Sequence, residues 1–95
     1  MAILGTITKQ SNEKLDFDVA YDTVLAGRSD TIVATPTVSV SPSGVTIVSS
    51  VLTGNKLKVV FASGTNSTAY KVTIDATSTA GLIYEDEVNI MIVDI

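Results

Sequence analysis

The 95-residue chain contains no histidine, no cysteine and no tryptophan. Without cysteine there is neither a disulfide nor a thiolate metal site, so packing alone must hold the fold, as suits a reducing cytoplasm. Without histidine the usual partner of a Ser or Thr nucleophile is missing, and the many hydroxyls read as the polar side of strands. Charge is sparse as well: 17% of residues are charged, against roughly 25% in a typical soluble domain. Six Lys and Arg stand against ten Asp and Glu, for a net charge of -4, which argues against binding a phosphate backbone and hence against nucleic acid. Apolar runs are only a few residues long, far from the roughly 20 that span a bilayer. The start, Met1-Ala2-Ile3-Leu4-Gly5-Thr6, carries no basic leader, so the expectation is a soluble chain made without export.

What the chain does have is hydrophobicity, 45% of residues, arranged in short Val, Ile and Thr-rich runs broken by Gly, Pro, Asn or Ser. Alternation at period two between such breaks predicts β-strands throughout, in one domain over residues 1–95. So little charge cannot cover the outside, and some apolar surface is expected to meet a partner.

Seven strands are predicted. The first runs Ile3 to Thr8, followed by a polar break from Lys9 to Glu13 that is expected to bury nothing. Residues Met1 to Glu13 are therefore candidates for an arm that orders only on assembly. The second, Leu15 to Tyr21, sets Leu15, Phe17, Val19 and Tyr21 inward and Asp16, Asp18 and Asp22 outward. After Val24-Leu25-Ala26-Gly27-Arg28-Ser29, the third runs Thr31 to Val40 with Ile32, Ala34, Val38 and Val40 inward. It is interrupted at Pro36, which cannot donate to a ladder. Ser41-Pro42-Ser43-Gly44 is a turn, the fourth strand runs Val45 to Leu52, and Gly54-Asn55 makes a tight hairpin. The fifth, Lys56 to Ala62, points Leu57, Val59 and Phe61 inward; the sixth, Ala69 to Thr77, sets Tyr70, Val72, Ile74 and Ala76 on one face. Ser78-Thr79-Ala80-Gly81 returns the chain into the seventh, Ile83 to Val93.

This spacing matches an all-β, seven-stranded antiparallel immunoglobulin-like β-sandwich. Tyr70 occupies the place of the tyrosine corner of such domains, two residues before Val72, where antibody domains carry a cysteine. The alternative for Tyr70 is an ordinary amphipathic core residue.

Candidates for chemistry are few. Asp16 and Asp18 share a strand face that would hold a hard cation only if other oxygens completed the shell; the plain reading is a solvated polar face. With Glu85, in the run Glu85-Asp86-Glu87, they would support catalysis only from a common deep pocket. Asn66-Ser67-Thr68 fits the N-glycosylation pattern, which has meaning only in a secretory setting.

More informative are apolar residues out of phase with the core. Met91, Val93 and Ile95 give the seventh strand a second apolar face, opposite Val88, Ile90 and Ile92. Val48, Leu52 and Val60 fall outward if Ile47, Val51, Leu57, Val59 and Phe61 fill the core, although a bulge at Ser49-Ser50 would reverse part of the fourth strand. The plain alternative is scattered surface apolars. Two sticky faces on opposite sheets would allow head-to-tail contacts that close into a ring.

The segments Leu4-Gly5-Thr6-Ile7-Thr8-Lys9-Gln10, Leu15-Asp16-Phe17-Asp18-Val19-Ala20-Tyr21, Asp30-Thr31-Ile32 and Tyr70-Lys71-Val72-Thr73, with the return through Gly81, resemble tailed-phage virion proteins known as fiber-tail adaptors, over nearly the whole chain. The chain departs from them at Val24, where an aromatic, often Trp, is expected before Leu25. The resemblance implies an immunoglobulin-like virion protein of the tail or neck, without enzymatic activity or cofactor. It would link fibers or neighbouring components to the tail or connector, with other tail, neck or fiber proteins and further copies of itself as partners, and assemble in the host cytoplasm. The alternative is a carbohydrate- or cell-surface-binding module of the same fold, for which only Tyr84 offers an aromatic outside the core.

Overall fold

The computed structural model describes residues 2–21, 32 and 35–94, with the backbone alone for 2–4. Among these there are seven strands and no helix: β1 (Ala2–Lys9), β2 (Lys14–Ala20), β3 (Thr37–Ser41), β4 (Val45–Thr53), β5 (Lys56–Ser63), β6 (Thr68–Thr77) and β7 (Ile83–Ile92). They form two sheets, β1-β7-β6-β3 and β2-β5-β4. Met1, Asp22, Val24 to Ser29, Asp30, Thr31, Ala34 and Ile95, for which the sequence carries expectations, lie outside the described residues.

Each sheet turns its alternate apolar residues toward the other. Leu57, Val59 and Phe61 of β5 face Tyr70, Val72 and Ile74 of β6 and Val88, Ile90 and Ile92 of β7 across the core, and all are buried. Phe17 and Phe61 pack with ring centroids 5.7 Å apart. β2 contributes the expected face, with Val19 and Tyr21 buried and Leu15 and Phe17 packed at its margin. Pro36 directly precedes β3, which begins at Thr37, and among the described residues Ile32 bridges Ser78 and is buried in the core.

The sheets are not wholly antiparallel. β1 runs parallel to β7, with Ile7 beside Ile90 and Lys9 beside Ile92, so that sheet is mixed. Parallel neighbours need a long connection, and here everything from β2 to β6 supplies it. β1 must also finish where β7 finishes: Val93 N donates to Lys9 O at 2.9 Å, and Ser11 N and Oγ donate to the Asp94 carboxylate at 2.7 and 2.9 Å. The N-terminal segment is thus a paired strand rather than a loose arm. Lys9, expected in an exposed break, is buried, and its Nζ donates to Gln10 O at 2.6 Å. Burial of a lysine requires such a partner for its ammonium group.

β4 holds the second correction. Its register with β5 shifts between Ile47 and Ser49, pairing Ile47 with Phe61 and Ser49 with Val60. An extra residue reverses the facing of everything beyond it. Leu52 therefore packs against the core and Val51 is exposed, the opposite of a strictly alternating strand.

At the base, where β1 and β7 finish, Thr65 N donates to the Tyr70 hydroxyl at 2.9 Å across the β5–β6 turn. Gly44, at φ 144° in the turn after the cis Ser41-Pro42 bond, lies against the same hydroxyl, and a Cβ there would come within 2.6 Å of it. Gly44→Ala should destabilise the protein by about 1–3 kcal/mol through this overlap and an unfavourable backbone angle. Tyr70→Phe should cost less, since it removes the hydroxyl that accepts from Thr65 N but introduces no overlap. Urea unfolding of both variants tests the order; an unchanged midpoint for Gly44→Ala would show that the turn moves freely away from Tyr70.

Candidate protein interaction surfaces

β7 positions the first two surfaces. Its inward residues Val88, Ile90 and Ile92 fix the opposite parity, Ile83 to Val93, as outward. Ile83 is 71% exposed at the end of the sandwich opposite the base, beside Leu82 at 38%. This apex also holds the Gly54-Asn55 turn, whose Asn55 accepts from Tyr21 N at 2.8 Å and from Ile32 N at 3.2 Å. Ser78 N donates to Leu82 O at 2.8 Å, which fastens the turn that presents the two apolar side chains.

At the base, Met91 and Val93 are 37% and 43% exposed. Met91 lies between two uncharged residues in the sheet, Thr8 of β1 and Ala69 of β6. The turn beside it is pinned, since Asn66 Oδ1 accepts from Asp94 N at 2.9 Å and Ser67 N donates to Ile92 O at 2.7 Å. The Asn66 side chain of the Asn-Ser-Thr sequence thus closes the base. Hydrogen bonds from Ser11 hold the Asp94 carboxyl below the ordinary aspartate range.

A third surface is the outer face of β2-β5-β4. Val48 at the bulge and Val51 are about half exposed. Val60 is half-buried between Asp16 and Ser49 on the neighbouring strands. Of the six residues predicted as an interface, Val48, Val60, Met91 and Val93 are on the outside on two different sheets, Leu52 is turned into the core, and Ile95 lies outside the described residues. Leu82 and Ile83 were missed, although the parity that marks Met91 and Val93 also marks Ile83.

The acidic residues do not converge. Asp16 pairs with Lys58 at 3.3 Å on the outside of one sheet, whereas Glu85 lies on the outside of the other, opposite Asp75. Asp75's carboxylate raises the Glu85 pKa, with desolvation adding to it, and Glu87 reaches Lys71 at 3.6 Å. Among the described residues no three acidic groups are placed to hold a metal ion. A cleft of about 160 Å³ is lined by Gly5, Thr6, Ile7, Phe17, Asp18 and Val88; neither Asp16 nor Glu85 enters it. Tyr84 packs against the core with its hydroxyl buried, so it offers no ring for stacking against a sugar.

Asp86 sits opposite buried Ile74, on the inward parity of β7 rather than on a solvated acidic face. Desolvation raises its pKa above 3.8. Nearby, burial pushes Tyr21 up to about 12, with the Asp86 and Asp75 carboxylates adding to it. A raised aspartate pKa means that the folded state holds the proton more tightly than the unfolded state. Its stabilising effect is complete below pH 3.8 and is lost as pH rises through the folded value. At neutral pH the ionised carboxylate therefore costs stability. Asp86→Asn should raise the thermal midpoint at pH 7, with the gain shrinking toward pH 3.8; a lowered midpoint at pH 7 would show that the carboxylate has a compensating partner.

Residues 9–91 match the family model described as Podophage GP4 fiber-tail adaptor protein gp77. No curated protein matches the chain significantly.

Proposed function

The chain belongs to the podophage GP4 fiber-tail adaptor family, and from that membership we propose that it links tail fibers, or neighbouring neck components, to the tail or connector through protein–protein contacts. The family carries a structural role in the virion and contacts with other tail or fiber proteins. We read the two sheets as an immunoglobulin-like sandwich: the first strand joins the last in one sheet, and Tyr70 of β6 accepts a hydrogen bond across the preceding turn, as in a tyrosine corner. The role is mechanical, without catalysis or cofactor, and the acidic balance of the chain does not favour nucleic acid.

The observation that carries this reading is β7. One ten-residue strand, about 30 Å long, exposes Ile83 at the apex and Met91, with Val93 just beyond it, at the base. A rigid strand with an apolar contact at each end holds two partners at a fixed separation, which is what a linker must do. The outer face carrying Val48, Val51 and Val60 is a different surface from that carrying Met91 and Val93, so neighbouring copies would associate head to tail and close into a ring.

Complementation of a phage particle lacking this chain tests the linkage. Ile83→Asp and Val93→Asp should each weaken attachment on one side only, by roughly 30-fold if the residue is an anchor worth about 2 kcal/mol, while leaving the thermal midpoint nearly unchanged. Particles that keep chain and fibers with both variants would sink the linker reading. For the ring, light scattering across a wide concentration range should show Val51→Asp or Val93→Asp reducing a discrete oligomer to monomer. A wild-type chain that stays monomeric, alone and in the particle, would discard it. Leu52→Asp is unsuitable for this purpose, because it places a carboxylate against the core.

A further inference from the structure

A two-sheet sandwich leaves four strand edges, here those of β1, β3, β2 and β4. Such edges template pairing with other chains, and proteins guard them with charge, proline or bulges. Three of the four are guarded. β3 lies between Pro36 and Pro42, β4 carries the bulge between Ile47 and Ser49, and β2 bears Lys14, Asp16 and Asp18. β1 differs: its register with β7 shifts once, between Ile3 and Gly5, but residues 2–8 include no charged residue and no proline, and its one cation, Lys9, is buried. From Gly5 to Lys9 its register with β7 is regular, and among the described residues nothing pairs with its outer edge.

Beside that edge, at the seam with β2, lies the cleft formed by Gly5, Thr6, Ile7, Phe17, Asp18 and Val88, of about 160 Å³. A cavity of ~150 Å³ accepts benzene, so this cleft suits one Leu- or Phe-sized side chain. Asp18 is on its rim, and the Lys58 opposite Asp18 in the sheet is paired with Asp16 instead.

We propose that the free edge of β1 receives an extended segment of another tail or fiber protein as an added strand, with an apolar side chain in the cleft and a Lys or Arg meeting Asp18. This rests on the adaptor reading for where the segment comes from. Backbone N–H and C=O groups along the outer edge of β1 that pair with nothing among the described residues favour a strand over a helix or a glycan, because main-chain bonds supply the affinity and the alternate side chains the specificity. A second copy of β1 fits less well: the strand itself offers no accessible cation for Asp18, since its Lys9 is buried, and the chain it belongs to adds another net charge of -4.

The probe is the capped hexapeptide Thr-Val-Leu-Val-Lys-Thr, titrated at millimolar concentration into the full-length protein and followed by amide NMR and hydrogen exchange. Saturable shifts at Ile7 and Phe17, slower exchange along residues 5–9 and about two- to fivefold weaker binding to Asp18→Lys are expected. The same peptide with Glu in place of Lys should bind Asp18→Lys better than it binds the original chain. Shifts confined to Leu82 and Ile83, or none, would overturn the inference. So would protection of residues 5–9 that needs no peptide and vanishes on dilution, which would make the occupant a second copy. Binding at β1 by a chain whose Ile83 and Val93 variants still assemble normally would keep this site and discard the linker reading. The converse result would discard the site alone.

Discussion

The fold depends on β7 having a hydrogen-bonded neighbour on both sides. It joins β1 in parallel and β6 in antiparallel orientation, and its inward side chains Val88, Ile90 and Ile92 form the middle of one wall of the core. In a chain without disulfides, this position makes β7 the element whose loss would separate β1 from its sheet. The base shows how firmly it is held: Lys9, Ser11, Asn66 and Ser67 all bond to residues 92–94. The Tyr70 hydroxyl, packed between Thr65 and Gly44, closes the neighbouring turns.

That placement also connects fold to role. A strand fixed on both sides presents its outward residues on a stiff support, so Ile83 and Met91 keep their separation when a partner binds. Preorganised contacts lose less conformational freedom on association, which matters for a small part that must hold larger ones. The uncharged outer edge of β1 lies beside this support, while the acidic side chains of β2 occupy the edge across the seam.

Period-two alternation made most of the strands legible, because a half-buried sheet imposes that period directly. The inward face of β2, the core of β5 and β6, the Gly54-Asn55 hairpin and the outward parity of Met91 and Val93 all follow from it. What escaped were features set by distant partners. Alternation cannot say that β1 lies parallel to β7, since pairing is decided by which edges meet. It offers a bulge at Ser49-Ser50 only as an alternative and does not decide for it; the register shift between Ile47 and Ser49 is what exchanges the faces of Val51 and Leu52. Lys9 looked solvated because its acceptors, backbone carbonyls of the following turn, have no sequence signature. Tyr84 and Asp86 continued the inward parity of Val88 and Ile90, but polar character suggested the surface. The family resemblance supplied the role, which alternation alone left open.

Among the described strands β7 comes last along the chain, yet it is the one that β1 pairs with in its sheet. While the protein is being synthesised, β1 must therefore wait, unpaired and nearly uncharged, until the whole of β2 to β6 and then β7 have emerged. Pairings this distant in sequence form slowly, because the loop must close before any contact rewards it. The same apolar segment that later borders the cleft is thus the most vulnerable part of the nascent chain, and control over what it meets during that interval bears on yield as much as on assembly.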